Sequence, residues 1–243
     1  DIGGESTRPG SHIVSEDKEW KRISSTIKKL KKKVPKTYWS SGKPFNFKPK
    51  FNTFSYLVLG LILFGLGETL LITANQGVSP WTVLAQGLSF QFNLSIGVTT
   101  FIVSIIVLFF WYPLKQKPGL GTLLNVILIS IVIDLSTPIL PYPKTLFYQI
   151  IQSVIAVLIV GIGSGFYLTA NLGPGPRDGL MTGLQKLTDK PIALIRTILE
   201  VSAVLIGFYF GGVVGIGTLL FAFGIGPAVS LGIFIVMKFF KLL

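Results

Sequence analysis

From residue 51 onward the chain is a succession of long apolar runs separated by short polar or Gly/Pro-rich breaks. A helix needs about 20 apolar residues to cross a bilayer. Six runs read as crossings: 54–73, 96–113, 121–138, 147–170, 192–210 and 214–237. Two further segments, 79–92 and 176–188, are too short or too polar for a full crossing and read as broken or re-entrant pieces. Each follows a break, Asn75-Gln76-Gly77-Val78-Ser79-Pro80 before the first and Asn171-Leu172-Gly173-Pro174-Gly175-Pro176 before the second.

These breaks are copies of one pattern. Thr73-Ala74-Asn75-x-Gly77-x-x-Pro80 returns as Thr169-Ala170-Asn171-x-Gly173-x-x-Pro176, an offset of 96 residues. Gly119-Leu120-Gly121-Thr122-Leu123-Leu124 returns at the same offset as Gly215-Ile216-Gly217-Thr218-Leu219-Leu220. Gly65, Gly67 and Gly87 pair with Gly161, Gly163 and Gly183 without any gap. Two long matches in one register indicate internal duplication. Each half holds three crossings and one short segment. Three is odd, so the halves lie inverted in the membrane, a plan that recurs in secondary transporters with sites near the midplane. The fold class expected is an all-α membrane protein of about six transmembrane helices. They form two inverted three-span repeats, residues 51–140 and 141–243, with short broken or re-entrant segments. A partly disordered soluble segment precedes them.

Charge orients this layout. Loops rich in Lys and Arg stay on the cytoplasmic side. With Lys28-Lys29 and Lys31-Lys32-Lys33 inside, alternating crossings leave segment 79–92 outside without charge. Lys115 and Lys117, then Arg177, Lys186 and Lys190, then Lys238 and Lys241 all return to the inside. Both termini are then cytoplasmic, with the lipid bilayer as the first partner.

Composition agrees for most of the chain and sets the N-terminus apart. Half of the residues are hydrophobic and 13% are charged, where a soluble domain has roughly a quarter charged; the mean hydropathy is +0.67. Residues 1–50 carry 13 Lys+Arg and 5 Asp+Glu, and the remainder only 9 and 5. No aromatic–basic platform accompanies this charge, so it reads as a cytoplasmic flank and no nucleic-acid partner is expected. There is no cysteine and only one histidine, His12, so no metal or haem site is expected, and no cofactor. The first 50 residues show no apolar signal region. The chain begins at Asp1 and not at Met, which reads as a fragment or a processed product.

Asp1-Ile2-Gly3-Gly4-Glu5-Ser6-Thr7-Arg8-Pro9-Gly10-Ser11 resembles the pterin-site signature of dihydropteroate synthase, and Val14-Ser15, Glu19, Arg22 and Ile23 fit that family's next helix. The resemblance covers about residues 1–34 and implies a substrate-binding loop at Ser6-Thr7-Arg8. A TIM barrel needs 200 residues or more, and the chain continues instead as membrane sequence. The stretch therefore reads as an enzyme fragment joined to a membrane protein, or as an assembly artefact, without folate-synthesising activity. Residues 35–50 read as an irregular basic linker.

From about residue 52 to 243 a second resemblance holds. Gly67-Glu68-Thr69-Leu70, Gly77-Val78-Ser79-Pro80-Trp81-Thr82-Val83-Leu84, Pro118-Gly119-Leu120-Gly121-Thr122 and Gly173-Pro174-Gly175-Pro176-Arg177-Asp178-Gly179-Leu180-Met181 are similar to the bacterial YczE/YitT-type membrane proteins. That resemblance implies a polytopic inner-membrane protein and supplies no substrate.

Charge inside a bilayer costs about 2.5–3.5 kcal/mol per residue on insertion scales, so the few ionisable residues there are candidates. Glu68 lies deep in the first run with no cation near it on its own helix, and its repeat mate is Ser164. Asp134 lies near the end of the third run. Arg196 and Glu200 stand four apart on one helical face and can pair with each other; alternatively Arg196 pairs with Glu68 across the halves. Pro176 suits the first position of a short helix, whose free N–H groups favour an anion. Arg177 would add charge there, while Asp178 could instead cap the helix. Asn75 and Asn171 would satisfy backbone freed by the breaks or meet a ligand directly. The glycines read as close helix contacts, and no Walker motif is present.

Three functions remain open on the sequence alone. One is a transporter or permease for a small solute, with anions among the candidates. Another is a membrane-embedded capture or assembly subunit, alone, as a homo-oligomer or with an energising partner. The third is an enzyme, for which no catalytic residue is proposed because no His, Cys or carboxylate dyad stands at catalytic spacing.

Overall fold

The computed structural model describes residues 35–240. The dihydropteroate-synthase-like stretch and its soluble character fall on residues 1–34, outside the described residues. Among the described residues there are eight helices and no strand. They are α1 (Phe51–Ala74), α2 (Pro80–Phe92), α3 (Ile96–Phe109), α4 (Leu120–Ser136), α5 (Leu146–Ala170), α6 (Pro176–Thr188), α7 (Ile192–Tyr209) and α8 (Ile216–Phe239).

The offset of 96 residues governs where helices start and stop. α2, α3 and α4 begin at 80, 96 and 120, and α6, α7 and α8 at 176, 192 and 216. Local chemistry explains the match. α1 and α5 end on Asn75 and Asn171, both left-handed with φ of 54°, a backbone state that Asn tolerates at helix ends. Gly77 and Gly173 follow at φ of 99° and 109°, where a Cβ would be strained. Pro80 and Pro176 then open α2 and α6 at the position where the missing N–H costs nothing.

Close backbone approach fixes the helix directions. A Cβ on Gly60 would lie 2.7 Å from Gly163 O, and one on Gly67 would lie 2.8 Å from Ala156 O. Earlier positions on α1 thus meet later ones on α5, so the two helices run antiparallel. α4 runs parallel to α1, with Gly65 against Val132 and Ser136 Oγ donating to Thr69 Oγ1 at 2.9 Å. α8 runs parallel to α5 through the equivalent positions, Gly161 on Ala228 and Gly165 on Gly232. These four helices enclose the larger apolar core, which includes Leu57, Leu61, Val160 and Ile133.

The halves also exchange contacts. Gly217 N donates to Gln76 O at 2.6 Å, and Gly121 N donates to Leu172 O at 2.7 Å, the same bond 96 residues away. α2 packs on α7 and α6 on α3. Val83 lies against Gly207 in the first pair, and Gly179 lies under the Trp111 ring in the second. One exchange is broken: α3 and α4 pack together, whereas their counterparts α7 and α8 barely touch.

Two regions differ in detail from the sequence reading. Six runs were expected to cross, but four helices are long and apolar enough by themselves: α1, α5, α7 and α8. α3 and α4, with 14 and 17 residues, span about 21 and 26 Å at 1.5 Å per residue, short of a hydrocarbon core of about 30 Å. α2 and α3 are bent by 115° at their break and make a fifth span only if taken together. Residues 110–113, expected to continue the second crossing, form a turn. The other region is residues 35–50, which are irregular and packed against the helices. Trp39 is 1% exposed and packs with Tyr56, Phe166 and Phe240. Ser41 N donates to Ala170 O at 3.0 Å, and Thr53 Oγ1 donates to Trp39 O. An aromatic side chain and backbone pairing seal this segment over the start of α1 and the end of α5.

Candidate functional site

Both short helices begin inside the protein, and a cavity of about 280 Å³ lies between their N-termini. Six pairs of equivalent positions from the two halves face it. Pro80 and Trp81 of α2 face it, as do Pro176 and Arg177 of α6. Thr100 and Ser104 of α3 correspond to Arg196 and Glu200 of α7, and Asn125 and Ile129 of α4 to Phe221 and Ile225 of α8. Half-helix N-termini that converge on a cavity are a recurring arrangement in membrane carriers.

The two ends differ in chemistry. In the first half Glu68 is 1% exposed. Its Oε2 accepts from Ser79 Oγ and Thr82 Oγ1, each at 2.8 Å, and Ser79 Oγ also reaches Thr82 Oγ1 at 2.9 Å. A carboxylate thus sits at the positive end of α2, where helix N–H groups favour it. In the second half the equivalents of Glu68, Ser79 and Thr82 are Ser164, Gly175 and Asp178. The acid has moved from the long helix to the first turn of the short one. Ser164 Oγ turns to its own helix and donates to Val160 O at 2.7 Å, and Asp178 is exposed on the cavity wall.

The seven sequence candidates separate on this geometry. Arg177, Asp178, Arg196 and Glu200 all line the cavity. Glu68, Asn75 and Asn171 do not. The pairing of Glu68 with Arg196 is not formed. Glu68 is held by hydroxyls, and Arg196 Nε donates to Glu200 Oε1 at 2.8 Å, an (i, i+4) pair with Arg196 47% and Glu200 20% exposed. The N-cap of α6 is Gly175, and Asp178 stands in the first turn with its Oδ2 beside Gly175. Asn75 and Asn171 act as helix terminators, and Asn171 Nδ2 donates to Ser41 O at 2.8 Å. Asp134 accepts from Ser95 Oγ at 2.6 Å and Gly97 N at 2.8 Å, so it caps α3 from a neighbouring helix.

Arg177 lies with its guanidinium carbon 5.5 Å from the Trp81 ring centroid, within cation–π range. It has no carboxylate partner among the described residues. Trp81 and Tyr167 are nine-tenths buried on the cavity wall, and neither Trp81 Nε1 nor the Tyr167 hydroxyl has a hydrogen-bond partner among the described residues. The same holds for Thr100 Oγ1. These residues, with Asn125 and Ser104, were missed in the sequence. The offset of 96 could have found three of them, since Trp81, Thr100 and Ser104 are the mates of Arg177, Arg196 and Glu200.

Comparison with known proteins adds a family and no ligand. The family of unknown function DUF6198 matches residues 51–233. An uncharacterized protein of Haemophilus influenzae is 42% identical over 204 residues, 84% of this chain and 93% of the relative. That length exceeds residues 51–243, so the likeness reaches into the packed segment before α1. The uncharacterized membrane protein YczE of Bacillus subtilis is 32% identical over 170 residues, 69% of this chain and 79% of its own. YyaS of the same organism is 29% identical over 171 residues, 69% and 85% of the two chains. No solved structure matches.

Proposed function

The chain belongs to DUF6198, a family of unknown function, and is an integral membrane protein; from that premise we propose that it carries a small solute across the bacterial inner membrane through the cavity between its halves. The observation behind this reading is the cavity itself, where two broken-helix N-termini converge and walls come from equivalent positions of both repeats. Substrate sites of carriers lie at such repeat interfaces. On this reading the repeats are inverted and the chain crosses six times, with both termini cytoplasmic. The antiparallel packing of α1 on α5 supports inversion, since a twofold relation between antiparallel equivalents has its axis in the membrane plane. α3 starts beside the end of α4, with Gly97 against Ser130 and Asp134, as successive opposite crossings require. Its short length, and that of α4, would be met by local thinning of the bilayer.

The solute undergoes no chemical conversion on this reading. Uptake is the test. The whole chain, purified and reconstituted in liposomes, is exposed to a bacterial metabolite extract, and the vesicle contents are read by mass spectrometry. Accumulation of a small solute without any partner, lost in Arg177→Gln, is the expected result. Binding without uptake would instead mark a capture subunit that depends on an energising partner. Absence of both binding and uptake would contradict the proposal.

A further inference from the structure

Comparing the two short-helix starts says what the cavity is built to hold. In the first half, the space beside the start of α2 is filled by the protein's own side chains, with Ser79 and Thr82 bonded to the Glu68 carboxylate. In the second half two of the three are trimmed, Ser79 to Gly175 and Glu68 to Ser164. Gly175 and Ser164 line the cavity, whereas Ser79 and Glu68 do not. A Cβ on Gly175 would lie 3.2 Å from the Tyr167 hydroxyl, 3.4 Å from Asp178 Oδ2 and 3.6 Å from Asn125 Nδ2. Gly175 is therefore closely ringed by polar groups on the cavity wall, one of them a carboxylate with no cation partner among the described residues.

Beside it the opposite charge is also open. Arg177 has no acid partner among the described residues and lies over Trp81, whose buried Nε1–H has no acceptor there. The remaining two charges, Arg196 and Glu200, satisfy each other. An unpaired cation and an unpaired anion in a membrane-embedded cavity are each costly. A simple anion would answer Arg177 and be repelled by Asp178, and a simple cation would do the reverse. A molecule that carries both charges answers both. The cavity volume of about 280 Å³ lies near the lower end of the range of small-molecule sites, about 300–1,000 Å³, so the solute is small.

We infer that the cavity binds a small zwitterion, an amino acid or betaine, with its carboxylate on Arg177 and Trp81 Nε1–H and its ammonium on Asp178 beside Tyr167 and Asn125. The inference rests on the cavity being the solute site and sharpens its chemistry. A carboxylate on a guanidinium gains charge-assisted hydrogen bonds, and a zwitterion leaves the site electrically neutral.

Binding to the whole purified chain in detergent tests this directly. The probes are the common amino acids and glycine betaine, each run beside its decarboxylated amine and its deaminated acid. L-proline, pyrrolidine and cyclopentanecarboxylate form one such matched set. At least one zwitterion should bind while its amine and acid do not. Arg177→Gln and Asp178→Asn should each weaken it at least about tenfold, the size of one charge-assisted hydrogen bond. Trp81→Phe, which keeps the ring and removes the N–H, should weaken it less. Lys186→Gln, outside the cavity, should leave it unchanged. An acid that binds as well as its zwitterion, or an amine that does, overturns the zwitterion and leaves the solute site standing. So does uptake of some other solute by the liposomes when no zwitterion binds. Failure of every probe together with failure of uptake overturns both readings.

Discussion

The two halves share one backbone plan and use it for opposite purposes. At the start of α2 an acid is buried outside the cavity, its Oε2 accepting two hydroxyls and its Oε1 without a partner among the described residues; at the start of α6 an acid faces the cavity with no cation partner among the described residues. All four charged residues on the cavity wall belong to the second half, and the first half offers Trp81, Thr100, Ser104 and Asn125 opposite them. On the proposed reading one end is structural support and the other is the wall that meets the solute. Helix packing shows the same divergence, because α3 and α4 are closed on each other and α7 and α8 are not.

The comparison is broken most severely where a large side chain in one half answers a small one in the other. Trp111 over Gly179 is the counterpart of Gly207 against Val83. Gly179→Val alone should destabilise by about 1–3 kcal/mol by overpacking, and Trp111→Gly alone by about 3–5 kcal/mol or more. Together they recreate the first-half pairing, so the double variant should recover part of the loss, a coupling of about 0.5–3 kcal/mol. Strictly additive losses in thermal unfolding would show that the two pairs are not equivalent.

Next come the two acids. Glu68→Ala leaves the Ser79 and Thr82 hydroxyls without their buried acceptor and should cost about 1–3 kcal/mol. Asp178→Ala should change stability by no more than about 0.5 kcal/mol, as for exposed positions, and abolish solute binding. If the two variants lose stability alike, the division between a structural and an active end fails.

Gly77→Ala and Gly173→Ala probe the shared part. Each forces a side chain to positive φ against the start of the opposite half's last helix, Gly215 in one case and Gly119 in the other. Strained backbone of this kind costs about 1–3 kcal/mol, and the two losses should agree. The smallest effect belongs to the Arg196–Glu200 pair. Glu200→Gln, which removes the pair, should cost about 0.3–0.5 kcal/mol, the usual size of a helix (i, i+4) pair, because Arg196 is half exposed.

Periodicity makes the helices legible. The Asn-x-Gly-x-x-Pro breaks act through local backbone chemistry, so α2 and α6 start on their prolines, and each expected run overlaps a helix. The 96-residue offset also points from a position in one half to its counterpart in the other. The features hidden in the sequence depend on tertiary packing. Glu68 stands out in the sequence as a buried acid, but its partners are hydroxyls of the next helix and not the distant arginine that its charge suggests. Trp39 reads as part of a basic linker because its apolar neighbours, Tyr56, Phe166 and Phe240, are far away in sequence.

Inversion of the halves is the claim on which the carrier reading depends. The chain has no cysteine, so single cysteines report without background. Leu94 and Lys190 are equivalent exposed positions, one residue beyond the left-handed caps Asn93 and Asp189. Leu94→Cys and Lys190→Cys should be labelled by a membrane-impermeant maleimide from opposite faces of intact bacterial cells and of inverted vesicles, Leu94→Cys from outside and Lys190→Cys from the cytoplasm. Labelling of both from the same face would contradict inverted repeats.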